Sequence, residues 1–512
     1  MSESDILMLV RRGQTYTRRS EFAKAIEAFT GAIDLDPIDA DLYFYRGNAQ
    51  AAAGWFAAAI EDFSEAVRLQ PDYAEAYHNR GTARADAGEL EDAVEDFTEA
   101  LRLTPDDADP LNGRAAVLSR LHRYDEADSD YSAALVLDPD SFRAHFNRGN
   151  ARSAQGRQTE AIEDFTHAIR FHPRYPRAYI YRALSYEESG EFEKSIADLS
   201  TALRLDSRDV EVFWHRARVW NASGDLEKAI EDYCRVIRLD PTHAGAFNLR
   251  GVAHAELGRH DLARADFTQG MRLDPQDIAP VFNRGLELVR FKDYAAAIVD
   301  FTKAIELSPD DPAGYVQRGY AQHEQGNPKE AIADFTQAIA LRPEGAKAYL
   351  ARALVYRRMG QKDEALADIS TAIERDATID AAFSLRASLL LGRGDYHGAL
   401  ADYQKALELD PEDAFTLNHI AWLRATCPLA ELRDGAAAVR AAAAACEKTD
   451  YKLPVLIDTL AASFAEAGRF EEAIRSQEKA ITLSEGEIRE EYERRLQQYR
   501  EGVPYREEVT VV

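Results

Sequence analysis

The sequence contains few of the residues that mark secreted or membrane-spanning proteins. Its 512 residues include only three cysteines, Cys234, Cys427 and Cys446, an odd number without paired spacing, which favours free thiols in a reducing compartment. No apolar run approaches the roughly 20 residues that span a bilayer. The first residues, MSESDILMLVRRG, lack the pattern of a secretory signal. These features predict a cytoplasmic protein without membrane insertion.

Basic residues are scarce relative to acidic ones. The chain has 62 Lys and Arg against 89 Asp and Glu, which gives a formal net charge of −27. Nucleic-acid binding depends on neutralising phosphates with Lys and Arg. The charge balance therefore predicts that nucleic acid is not a general partner, and it favours solubility of an elongated molecule.

The sequence also lacks the local patterns of enzymes. It contains no phosphate-binding Gly-rich loop and no nucleophile elbow, and Cys427 has no evident histidine base near it. The histidines are scattered, and His167 and His172 are five residues apart, a spacing that does not place two metal ligands on one helical face. We therefore expect no catalytic residues, no metal and no cofactor.

One internal period fills most of the chain. Counting from Ile6, twelve copies of 34 residues follow without a gap and end at Asp413. We number the positions of each copy as slots one to thirty-four. Slot eight is always Gly or Ala, slot twenty is Ala in eleven copies and Ser in one, and slot twenty-four is always bulky. Small residues allow two helices to approach closely, and large residues fill the space between hairpins.

Glycine and proline mark the ends of the helices. Nine copies have Gly at slot fifteen and ten have Pro at slot thirty-two, so each copy reads as helix, turn, helix, turn. This pattern at a period of 34 residues resembles the tetratricopeptide repeat (TPR) over residues 6–413. The resemblance implies an all-α, right-handed superhelical solenoid of antiparallel helix hairpins, with a concave groove lined mainly by the first helix of each repeat.

The pattern changes near both ends of the chain. We predict an N-terminal tail at residues 1–5, an irregular repeat with a longer loop at 414–453, a final repeat at 454–487, a capping helix at 488–502 and a C-terminal tail at 503–512, about fourteen repeats in all. The segment AWLRATCP, with those that follow it, resembles a C-terminal module of bacterial repeat proteins. That module implies no reaction here.

Slots seven and twenty-three carry charges of opposite sign. Slot seven is Arg in all twelve copies and slot twenty-three is Asp in eleven, and pairing them within one copy leaves only Arg12, opposite Ala28. A partly buried guanidinium needs a carboxylate within reach. We predict structural ion pairs, among them Arg46 with Asp62, Arg80 with Asp96, Arg216 with Asp232, and Arg318 with Asp334. The alternative is that the arginines bind an anionic ligand.

By the resemblance, slots two, five, six, nine, twelve and thirteen face the groove, and we call them the inward slots. Without the slot-seven arginines, their charges nearly cancel over the twelve copies. Apolar residues at slots five and nine form a candidate partner-binding track. Its members are Phe44, Phe146, Ile180, Leu184, Trp214, Phe282, Leu286, Tyr320, Leu350 and Leu354. Alternatively, individual members pack between neighbouring helices.

These features favour a non-enzymatic scaffold or adaptor whose groove binds a protein or peptide. One alternative is a self-associating structural protein, which would be a homo-oligomer. A weaker alternative is an anion-binding regulator, or an enzyme, that uses the slot-seven arginines or Cys427.

Overall fold

A computed structural model describes residues 3–507. Within this range the chain forms 29 α-helices and one short 3-10 helix, and no strand. The chain divides into two compact units, one ending at Arg259 and the other beginning at His260. Each unit is an array of antiparallel helix hairpins, as the sequence pattern predicts.

The first unit contains fifteen helices. The first of them begins at Glu3, within the segment 1–5 predicted as a tail, of which residues 1 and 2 lie outside the described range. The bounds are α1 Glu3–Arg18, α2 Phe22–Leu35, α3 Ala40–Ala52, α4 Phe56–Leu69, α5 Ala74–Ala87, α6 Leu90–Leu103, α7 Ala108–Arg120, α8 Tyr124–Leu137, α9 Phe142–Ala154, α10 Gln158–Phe171, α11 Pro176–Glu188, α12 Phe192–Leu205, α13 Val210–Ala222, α14 Leu226–Leu239 and α15 Ala244–Glu256.

The second unit contains fourteen α-helices and the 3-10 helix, Ala430–Leu432, which lies in the longer loop of the irregular repeat. The α-helices are α16 His260–Leu273, α17 Ile278–Arg290, α18 Tyr294–Leu307, α19 Pro312–Gln325, α20 Pro328–Leu341, α21 Ala346–Arg358, α22 Lys362–Arg375, α23 Asp380–Leu391, α24 Tyr396–Leu409, α25 Ala414–Thr426, α26 Gly435–Lys448, α27 Pro454–Glu466, α28 Phe470–Thr482 and α29 Gly486–Arg500.

The small and bulky slots account for the packing of the hairpins. The slot-twenty-four side chain is at most 1% exposed in all twelve copies. Where slot eight is Gly, its bare backbone makes room for a ring. A methyl group on Gly47 would lie 2.8 Å from the ring of Phe63, which is closer than carbon atoms normally approach.

Slot fifteen ends the first helix in a left-handed backbone conformation. Nine glycines there have φ between 73° and 93°. The three copies without glycine adopt the same conformation, with φ of 58° at Ser20, 59° at His122 and 60° at Lys292. A left-handed conformation is costly for a residue with a side chain, so the repeat imposes it on these three positions.

The last helix, α29, covers the final hairpin. Its residues Tyr492, Leu496 and Tyr499 are buried against α27 and α28, whereas Ile488 is 56% exposed. The stripe of buried residues on α29 therefore begins at Tyr492, one turn after Ile488.

Candidate interaction surface

The arginines of slot seven contact the aspartates of slot twenty-three. In ten repeats of the described chain, the shortest nitrogen to oxygen distance of the pair is 2.6 to 2.7 Å. The arrangement is bidentate, since Arg216 donates from Nε and Nη2 to the two oxygens of Asp232 at 2.7 and 2.8 Å. In this pair the Arg side chain is 20% exposed and the Asp side chain 7%.

Ten of the slot-seven arginines also contact the preceding repeat, a contact that the sequence pattern did not predict. Arg216 Nη1 donates to the hydroxyl of Ser200 at 2.9 Å, and Arg46 Nη1 donates to Thr30 at 3.1 Å. The acceptor is at slot twenty-five, where ten copies have Ser or Thr. The recurrence of Ser or Thr at slot twenty-five was the feature of the sequence from which this contact could have been predicted. The guanidinium thus links the two helices of its own hairpin, and it also links that hairpin to the preceding one.

These contacts argue against the alternative in which the slot-seven arginines bind an anionic ligand. In repeats such as that of Arg216, Nε, Nη1 and Nη2 all donate to protein acceptors. An incoming anion would have to compete with a buried carboxylate held by two charge-assisted hydrogen bonds. The geometry therefore favours a structural role for the slot-seven arginines.

Two members of the candidate apolar track are buried and do not form a surface. Phe44 is 8% exposed and lies 4.9 Å from Tyr73 between ring centroids, while Phe146 is 5% exposed and lies 5.2 Å from Tyr175. Each tyrosine occupies slot thirty-four of the same repeat as the phenylalanine that it contacts. The assignment of Phe44 and Phe146 to the candidate surface is therefore wrong, because a ring from the following turn covers each of them.

The other eight members are only partly covered. In the first unit, the ring of Trp214 lies 4.6 Å from His243 and 5.8 Å from Tyr233. In the second unit, Phe282 packs at 5.6 Å against Phe301 of its own hairpin. The most exposed are Leu286 at 37% and Tyr320 at 38%, and the half-buried members are Ile180, Leu184, Trp214, Phe282, Leu350 and Leu354.

A pocket of about 400 Å³ opens beside Tyr320 in the second unit. Its apolar part includes Tyr320 from α19 and Leu354 from α21, and its charged part includes Arg357 and Arg358. The ring of Tyr320 packs at 5.2 Å against Phe335. The pocket therefore combines a fixed aromatic surface with two exposed guanidinium groups.

The start of the C-terminal tail lies against two first helices of the same unit. The indole of Trp422 in α25 donates to Glu507 Oε1 at 2.6 Å, and the backbone N–H of Glu507 donates to the carbonyl of Thr426 at 3.0 Å. Arg506 donates to the carbonyl of Ala425 at 3.3 Å and forms an ion pair with Glu466 of α27. A non-helical segment of this chain is thus held by inward slots.

Two of the three thiols are buried in surroundings that disfavour a catalytic role. Burial raises the pKa of the Cys427 thiol, and burial raises the pKa of Cys446 to about 11. Cys234 accepts a contact from Arg250 Nη1 at 3.1 Å in the position that Ser or Thr occupies in most repeats. A raised pKa disfavours the thiolate that acts as the nucleophile.

Comparison with protein-family models identifies the repeat. Models of the tetratricopeptide repeat match residues 10–74, 47–108, 112–176, 244–277, 322–389 and 381–413, and a TPR repeat model matches residues 217–258 and 285–326. The chain belongs to the tetratricopeptide-repeat family. Proteins of this family are in general non-enzymatic interaction scaffolds, and in that general sense the chain is a protein-interaction scaffold.

Solved structures of TPR proteins resemble the chain at low sequence identity. The Cut9 and Hcn1 hetero-tetramer of APC/C is 14% identical over 81% of this chain and 95% of its own, with a TM-score of 0.38. Yeast Tom70 is 18% identical over 89% and 99%, with a TM-score of 0.37. YrrB, a TPR protein with an unusual peptide-binding site, is 23% identical over 37% and 97%, with a TM-score of 0.34. Comparison with curated proteins found no match.

Residues 3–507 of the TPR chain contain neither a cluster of metal-ligating side chains nor a helix suited to crossing a membrane. No group of three or more His, Cys, Asp or Glu side chains converges as a metal site. No helix in that range has the length and apolar character needed to cross a bilayer.

Proposed function

We propose that this TPR protein is a non-enzymatic scaffold or adaptor that binds a segment of a partner protein through its inward slots. The observation that carries the proposal is the incomplete burial of apolar side chains at slots five and nine, from Ile180 to Leu354. Exposed apolar side chains that are fixed by a rigid scaffold are typical of partner sites, because burying them on binding costs little conformational entropy.

The tail gives the proposal a second support. Residues 505–507 lie outside the helices, and their backbone and side chains both bind inward-slot residues. Helix ends in this fold therefore have carbonyl groups that an extended segment can reach. A partner segment would use similar contacts elsewhere along the inward slots.

The proposal is tested by capturing partners from the native cell with the full chain and measuring their affinity for variants. Trp214→Ala and Phe282→Ala remove large, partly covered rings from inward slots. We expect one or both to weaken a captured partner by about tenfold, since a central aromatic residue commonly contributes 2 kcal/mol or more to binding. Circular dichroism and thermal denaturation would show that the array remains folded.

A matched control changes charge on a second helix. Asp92→Lys combined with Glu95→Lys alters two exposed residues of α6, and such changes are expected to affect mainly the association rate and its salt dependence. If this control abolished capture while both ring variants bound normally, the inward slots would not be the partner site. The exposed acidic surface would then be the better candidate.

A further inference from the structure

The tail of the chain shows which inward slots receive a non-helical segment. Trp422, which binds Glu507, occupies slot nine of its repeat, and Thr426 occupies slot thirteen. Glu466, which pairs with Arg506, occupies slot thirteen of the following repeat. The ring of Tyr505 lies 5.8 Å from that of Trp422. An aromatic residue followed by a charged residue thus meets a ring at slot nine and an opposite charge at slot thirteen.

The pocket beside Tyr320 is built from the same slots three repeats earlier. Tyr320 occupies slot nine, like Trp422, and Arg358 occupies slot thirteen of the following repeat, like Glu466. The aromatic surface is retained, but the charge at the equivalent of Glu466 is reversed. Arg357, at slot twelve beside it, adds a second positive charge.

The two arginines are available for a ligand. Among the described residues, neither Arg357 nor Arg358 has a carboxylate within ion-pair distance. Both side chains are exposed. Within residues 3–507, the one hydrogen-bond contact of either guanidinium joins Arg358 Nη1 to the ring of His323 at 3.4 Å. Glu324 is the single acidic residue that lines the pocket. On a chain with a net charge of −27, this is a local excess of positive charge at an apolar pocket.

We propose that the pocket formed by Tyr320, Leu354, Arg357 and Arg358 binds an extended protein segment in which an aromatic or large aliphatic residue is next to Asp or Glu. The apolar side chain packs on Tyr320 and Leu354, and the carboxylate accepts hydrogen bonds from the guanidinium groups. The pocket volume of about 400 Å³ has room for one large side chain and its neighbour. This inference rests on the proposed function and adds the chemistry of the segment.

The inference is tested by selecting random peptides displayed on phage against the immobilised full chain. We expect the selected peptides to have Asp or Glu adjacent to Phe, Tyr, Trp or Leu. Arg357→Glu combined with Arg358→Glu should weaken their binding at least tenfold, and selection on that variant should favour Lys or Arg at the same place. The control, Arg235→Glu combined with Arg238→Glu, makes the same change in net charge at two exposed residues of α14 and should leave binding within twofold.

A second variant separates this inference from the proposed function. Tyr320→Ala combined with Leu354→Ala removes the apolar part of the pocket and keeps both arginines. If selected peptides lost affinity for this variant but not for the charge-reversed one, the pocket would bind segments and the acidic preference would be refuted. If neither pair of changes altered binding, and neither Trp214→Ala nor Phe282→Ala did so, both the inference and the proposed function would fail.

Discussion

The contribution to stability of one ion pair between slots seven and twenty-three can be estimated from its surroundings. Replacing Arg216 by Ala leaves the Asp232 carboxylate, whose side chain is 7% exposed, without the two hydrogen bonds that it now accepts. Breaking a fully buried ion pair costs about 3 to 5 kcal/mol. Because the Arg side chain is 20% exposed, water can reach the vacated position and solvate part of the carboxylate. We therefore expect Arg216→Ala to lower the free energy of local unfolding by about 2 kcal/mol.

Hydrogen exchange is the suitable measurement, because repeat arrays need not unfold in a single step. Amides of α13 and α14 should exchange faster in the variant, while amides of α3 and α4 provide an internal reference in the same unit. A double-mutant cycle with Asp232→Ala isolates the pair. The double variant should be destabilised by less than the sum of the two single variants, because it leaves no unpaired charge.

Arg12→Ala is the matched control. Arg12 has the same slot but faces Ala28, and its side chain contacts Tyr16 at 3.3 Å on the surface of α1. Its removal should leave stability nearly unchanged, because the contact lies at the solvent-exposed surface. The reasoning would be refuted if Arg216→Ala had as small an effect as Arg12→Ala, or if the two single changes at Arg216 and Asp232 were additive.

Four further outcomes are expected. Ser200→Ala removes only the contact with the preceding repeat and should cost about 0.5 to 1.5 kcal/mol, measured by the same exchange experiment. Lys292→Gly relieves a φ of 60° and should raise the free energy of unfolding by about 1 kcal/mol, seen as a higher thermal midpoint. Trp422→Phe removes the hydrogen bond to Glu507 and should make the tail more sensitive to trypsin than in the wild type. Burial lowers the pKa of the half-buried His215, so the unfolded chain takes up the proton more readily, and stability should fall as the pH drops from about 7 to 5. His215→Phe should reduce that loss in a pH series of denaturation curves.

The regular part of the fold could be predicted because each slot must meet one main physical requirement, such as close packing or a left-handed turn. Gly47 and Phe63 require each other, and the left-handed turn at slot fifteen favours glycine so strongly that nine copies retain it. The contact between Arg216 and Ser200 was missed because a hydroxyl at a helical surface carries no charge to pair. The tail contacts of Glu507 and Arg506 were also missed, since they join residues about 80 positions apart that share no repeat pattern.

The candidate surface was predicted less well because exposure at slot five depends on a residue at the end of the repeat. Tyr73 and Tyr175 at slot thirty-four lay a ring over Phe44 and Phe146. Phe282 has Asp311 at the corresponding position, and that carboxylate accepts a hydrogen bond from the N–H of Ala313 at the start of α19. An aspartate committed to capping the next helix cannot cover a ring. The choice between an aromatic residue and a helix cap at slot thirty-four therefore helps decide which repeats keep an apolar side chain open to a partner.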